Sequence, residues 1–109
     1  MKGKIVLIPF PFTDLSASKL RPALVLYEGD RDVVVVFISS KIPPKLAESD
    51  VIITKNHPEF QLTGLKVDSV IKLDKIATLS KNLIIGEIGE IGKVIRDEVN
   101  RKLCKILRI

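Results

Sequence analysis

Up to residue 92 the chain alternates short apolar runs with polar, turn-forming stretches; after it the period changes. Ile5–Phe12 is rich in β-branched and aromatic residues and predicts a strand, with Pro9 and Pro11 placing its far half at an edge or bend. Thr13–Lys19 carries the Thr, Asp and Ser of a loop. Pro22 opens a second strand that runs to Tyr27. Glu28–Asp32 is a polar hairpin turn, and Val33–Ile38 is a third, wholly apolar strand paired with the second. Ser39, Ser40 and Lys41 end it, and Pro43 and Pro44 forbid its continuation. Further strands are expected at Asp50–Thr54, at Asp68–Leu73 with Thr78 and Leu79 after it, and at Leu83–Ile91, where Gly86, Gly89 and Gly92 suggest bends. Lys55–Lys66 reads as a loop with one short helical turn. From Lys93, apolar Val94, Ile95, Val99, Leu103, Ile106 and Leu107 recur at helical spacing, so an amphipathic helix closes the chain.

Short strands with one terminal helix imply a mainly β (α+β) fold, a small, strongly bent antiparallel sheet or barrel. Two strands, Ile5–Phe12 and Val33–Ile38, are apolar on both faces, yet one helix can cover only one of them. A second copy of the chain is the economical cover for the other face, so a homodimer is expected.

At 109 residues the chain has room for one domain, 1–109, with one core. No apolar run reaches the roughly 18–20 residues that span a bilayer, so no membrane role is expected. A single Cys104 excludes an internal disulfide and suits a cytoplasmic setting. It falls on the apolar side of the helix and reads as a packing residue. The net charge is +5, and residues 93–109 hold six basic and two acidic groups, supplying most of it. That surplus suits a polyanion, although cations near a helix C-terminus are also favoured by its dipole.

The missing chemistry is as informative. One His and one Cys, far apart, give neither a zinc site nor a Cys/His nucleophile pair, and no cofactor or metal is expected. His57 reads as an exposed loop side chain. No glycine motif cradles phosphate ahead of a helix. Arg21 stands where a loop meets a strand, and Pro22 holds its backbone extended. Pairing the second and third strands antiparallel brings Arg21 near Ser39 or Ser40. A fixed guanidinium beside a hydroxyl suits phosphate, whether to bind it or to act on it.

Beyond that the residues lead to a resemblance. Ile5–Asp14 (IVLIPFPFTD) followed by Lys19–Leu26 (KLRPALVL), then Thr63–Lys66 (TGLK) leading into Asp68–Leu79 (DSVIKLDKIATL), and finally the closing strand and helix, resemble the MazF/PemK-like toxins over most of the chain. The resemblance implies an SH3-like antiparallel barrel, dimerising through its sheet, whose members are toxins of type II toxin–antitoxin systems. It implies a metal-independent endoribonuclease that cuts single-stranded RNA to leave a cyclic phosphate and a 5′-hydroxyl, restrained by a cognate antitoxin protein. The family's catalytic Arg falls on Arg21, and its strand-ending Thr or Ser falls on Ser39, with Ser40 one register away. Its gating loop falls on Thr13–Leu20, so Thr13, Asp14, Ser16, Ser18 and Lys19 are expected to contact RNA, together with Ser40, Lys41 and Asp74. Lys4 stands where many relatives are acidic, and Lys75 follows Asp74 in the late motif. Two rival readings share the fold: a toxin like CcdB, which traps gyrase without cutting RNA, and an inert nucleic-acid or protein interaction module.

Overall fold

In the computed structural model, which describes residues 1–10 and 19–109, the apolar runs form six strands: β1 (Lys4–Phe10), β2 (Lys19–Glu28), β3 (Asp32–Ser39), β4 (Asp50–Ile53), β5 (Ser69–Ser80) and β6 (Gly86–Glu90). A 14-residue helix, α1 (Lys93–Ile106), follows. All strand pairs are antiparallel, in the order β4-β5-β3-β2-β1-β6. The result is a mainly β, barrel-like curled sheet with one C-terminal helix, as the pattern predicted.

The differences lie at strand ends. β2 starts at Lys19 rather than Pro22, because Lys19 and Leu20 pair with Phe10 and Pro9 and so leave the loop. The expected pause between Leu73 and Thr78 is a bulge within one continuous β5. There Phe37 pairs with Lys72 while its neighbour Val36 pairs with Ile76, which leaves Leu73, Asp74 and Lys75 between the two pairings. Among the described residues Pro9 does sit at an edge: β6 pairs with β1 from Lys4 to Leu7, and Pro9 pairs with β2.

The two-sided apolar strands build two cores. Alternation along β1 sends Ile5 into one cluster and Val6 and Ile8 into the other. In β2, Leu24 joins the first, and Ala23 and Val25 join the second. In β3, Val36 and Ile38 join the first, and Val33 and Val35 the second. The first cluster fills the concave side with Val51, Ile53, Ile71 and Leu73, and α1 covers it through Ile95 and Val99. The second is completed by Phe37, Ala77, Leu79 and Ile84, and Val6, Val33 and Val35 have no exposed surface within the single chain. The strands' second face is therefore buried without a second copy. Burial of each such side chain contributes about 1.5–3 kcal/mol, so neither cluster is dispensable.

Between β4 and β5 the expected helical turn forms at Phe60–Thr63, as a 3-10 turn ended by Gly64 in the left-handed region, φ 71°. It packs on β6 at the other margin of the sheet. A Cβ on Gly89 would stand 2.3 Å from the Thr63 carbonyl carbon, so only glycine permits this approach. Glu59, just before the turn, serves the start of α1, where the N-cap residue Gly92 has no side chain to offer. Cys104 is exposed, contrary to expectation. One residue past the half-buried Leu103, it has rotated off the stripe formed by Ile95, Val99, Leu103 and Ile106. Among the described residues no helix is long and apolar enough to cross a membrane.

Candidate active site

Two strands position Arg21 and Ser39. Arg21 pairs with Ile8, whose side chain belongs to the second cluster, so Arg21 lies on that face of the sheet. Across the other seam Ala23 pairs with Phe37, and continuing this register by two residues sets Arg21 opposite Ser39. Ser39 alternates with Phe37, Val35 and Val33 and shares the same face. Ser40 falls on the opposite side. Arg21 is half-buried, with its Nε below the surface. The Ser39 hydroxyl oxygen accepts the Lys41 backbone N–H at 3.0 Å, which fixes the side chain while leaving its O–H as a donor.

Two hollows flank this seam. On Ser39's side an open groove of about 490 Å³ is lined by Phe37, Ser39, Lys41, Lys72, Asp74, Lys75 and Ile76. On the other, a hollow of about 330 Å³ at the mouth of the concave side includes Lys19, Leu20, Arg21, Ser40, Lys66 and Ser69. The expected site residues are thus divided. Ser39, Lys41 and Asp74 meet in the groove, while Lys19, Arg21 and Ser40 line the second hollow, so Arg21 and Ser39 share a face but line different hollows. Thr13, Asp14, Ser16 and Ser18 lie outside the described residues, as does most of the expected gate.

Three lysines and one aspartate line the groove, so it favours an anion. Asp74 and Lys75 stand in the β5 bulge with their charges 4.0 Å apart, both well exposed. The residue that sequence reasoning missed is Lys72. It pairs with Phe37 on one side and with Asp50 on the other, and its ammonium lies 3.0 Å from Asp50 Oδ1. Asp50 is 1% exposed. Burial would raise its pKa, but the Ala47 N–H on Oδ2 and the Lys72 ammonium outweigh burial and hold the carboxyl below its ordinary range. The signal in sequence was only an Asp and a Lys in separate strands, with nothing to set their register.

His57 belongs elsewhere. Half-buried rather than exposed, it accepts the Glu59 backbone N–H on Nδ1 at 3.0 Å and so organises the turn that serves α1. Among the described residues no group of three or more His, Cys, Asp or Glu could hold a metal ion.

Comparison with known proteins fits this geometry. Residues 1–107 match the sequence model of the family described as PemK-like, MazF-like toxin of type II toxin–antitoxin system. No curated protein sequence matches the chain. Among solved structures, the chain is similar to the Mycobacterium tuberculosis toxin MazF-mt6, at 16% identity and TM-score 0.75 over 97% of each chain. It is also similar to MazF from Deinococcus radiodurans, at 21% identity and TM-score 0.71, covering 99% of this chain and 96% of that one. A mycobacterial endoribonuclease in complex with its cognate antitoxin is similar at 19% identity and TM-score 0.70, covering 98% and 93%.

Proposed function

Because the chain belongs to the PemK/MazF family of type II toxin–antitoxin toxins, we propose that it is an endoribonuclease that cleaves single-stranded RNA without a metal ion, through Arg21 and Ser39. The observation that supports this most is the register that aligns these two residues on one face at the open end of the β2–β3 hairpin, beside a groove lined by Lys41, Lys72 and Lys75.

RNA brings its own nucleophile, so the protein's task is to position and to stabilise charge. The 2′-oxygen bonds to the adjacent phosphorus as its proton leaves to solvent. The bond from phosphorus to the 5′-oxygen breaks, and that oxygen takes up a proton, giving a cyclic phosphate and a 5′-hydroxyl. Arg21 donates paired hydrogen bonds to the phosphate oxygens and offsets the charge that grows on them. An arginine side chain offers N–H donors and no acceptor, so Arg21 acts as an electrostatic clamp and not as a base. Ser39 orients the phosphate or the attacking hydroxyl through its O–H. Thr13, Asp14, Ser16, Ser18, Lys19, Ser40, Lys41 and Asp74 are proposed RNA contacts around this centre.

The natural restraint on such an activity is a separate antitoxin chain docked over the same basic groove; a mycobacterial neighbour was solved with its cognate antitoxin. We also assign a homodimer. Exposed apolar side chains that do not line the groove, Tyr27, Ile85 and Val94 among them, support pairing of two copies. Sedimentation at micromolar concentration that shows only a 12.1 kDa species overturns the dimer.

The deciding experiment incubates purified protein with a long single-stranded RNA in EDTA. Cleavage that persists in EDTA and ends in a cyclic phosphate is expected. Intact RNA across a broad set of sequences rules out the ribonuclease and leaves a binding role, including one on gyrase.

A further inference from the structure

Lys72 is built into the groove in a way that a surface lysine is not. Its strand neighbours fix its direction: Phe37 lies across from it on β3, and Asp50 lies across from it on β4. Its side chain retains 26% exposure while the Asp50 side chain retains 1%, so the ammonium stands between a buried acid and the open groove. An ammonium has three N–H donors, and its ion pair with Asp50 Oδ1, 3.0 Å away, takes up at most one of them. Asp50 does not rely on Lys72 alone, because Oδ2 accepts the Ala47 N–H at 2.8 Å and Lys102 Nζ donates to the Asp50 backbone oxygen at 2.6 Å. The ion pair therefore leaves N–H donors of the Lys72 ammonium for a ligand in the groove.

We infer that Lys72 is a phosphate-contacting residue of the RNA groove, and that Asp50 is the positioning residue that aims its ammonium. The inference rests on the ribonuclease reading of the same groove. A lysine held by a buried carboxylate loses less freedom on binding than a free one, so it suits the fixed spacing of successive phosphates. Ser39, two residues from Phe37 on β3, opens on the same groove and would meet one phosphate while Lys72 meets a neighbouring one.

The test measures binding of a uniformly 2′-O-methylated single-stranded RNA, which has no free 2′-hydroxyl and cannot be cut by this chemistry. Wild type, Asp50→Asn and the double variant Asp50→Asn/Lys72→Met are compared, the last removing both charges together so that no buried acid is stranded. Each phosphate contact to a single strand adds about 0.7 to the slope of log affinity against log salt. The double variant is expected to bind several-fold more weakly, with a slope shallower by about 0.7. Asp50→Asn is expected to keep the slope but lose affinity. A folded double variant with the wild-type slope overturns the inference and leaves Lys72 as a counter-ion. Wild type that binds no RNA at all overturns the ribonuclease reading as well. Reductive methylation of wild-type lysines, with and without the same RNA, needs no folded variant. Protection of Lys72 by RNA supports the contact, and equal labelling of Lys72 while Lys41 is protected overturns it.

Discussion

Glu59 accepts a hydrogen bond from the backbone N–H of Val94 at 2.9 Å, although 35 residues separate them. Its second carboxylate oxygen accepts the Ile95 N–H at 3.0 Å. A loop side chain thus satisfies two of the free donors that begin every helix, and its negative charge lies against the positive end of the helix dipole. Burial would push the Glu59 carboxyl up, but the two backbone donors outweigh it and hold the pKa below its ordinary range. Glu59→Gln should lower stability by about 1 kcal/mol, read as a shift in the urea midpoint.

The same contact sets a pH dependence. With the folded pKa depressed, the unfolded chain binds more protons as the medium acidifies, so this stabilisation is present above the unfolded value, about 4.3, and lost as pH falls through the folded one. Asp50 acts with the same sign. Melting temperature followed from pH 7 downward should therefore drop more steeply in wild type than in Glu59→Gln.

Gly89→Ala tests the closure of the sheet. The new methyl would meet the Thr63 backbone at 2.3 Å, and backbone cannot rotate aside as a side chain can. Thermal unfolding should show a loss of about 1–3 kcal/mol, typical of overpacking. Gly86→Ala, where none of the described residues lies within 4 Å of the added carbon, is the control and should stay near wild type.

Arg21→Ala should cut the cleavage rate by about 10²–10³, the usual loss when a donor to developing negative charge is removed. Circular dichroism should show the fold retained, because Arg21 lies near the end of β2 beyond the buried Ala23. Arg21→Lys should recover only part of the rate, since an ammonium lacks the planar pair of donors.

Ser39→Ala and Ser40→Ala should separate. Ser39 shares the face of Arg21, so its loss is expected to slow single-turnover cleavage by about ten-fold or more, within the range lost when a positioned hydrogen bond is removed. Ser40, on the other side of the strand, should change the rate little. Equal rates in Ser39→Ala and wild type would remove the hydroxyl from the mechanism.

Most strands and the helix were legible because each rests on local pattern: apolar runs, β-branched in β1, β3 and β4, and helical spacing after Lys93. The β2–β3 hairpin was legible for the same reason, but which serine faces Arg21 was not: the pairing of Glu28 with Val33, continued straight, would set Arg21 against Ser40, and a bulge between Val25 and Tyr27 moves it to Ser39. What escaped were features joined across the sheet. The Lys72–Asp50 pair depends on how β4 meets β5, and the cap from Glu59 replaces one that Gly92 cannot provide. The continuity of β5 was hidden by charged Asp74 and Lys75, which a bulge tolerates and an alternating strand would not. The burial of the second face was also hidden: it depends on how tightly the sheet curls, so apolar residues there were assigned to a partner's surface when Leu79 and Ile84 of the same chain pack against them.

A sheet packed on both sides has a consequence for how such a protein can change. In the middle of β1, β2 and β3 most positions serve one cluster or the other, so most substitutions there disturb packing. New recognition must therefore be written into the last residues of strands and the segments between them. A descendant of this chain could exchange its ligand without touching a buried side chain, and its folding would tolerate the experiment.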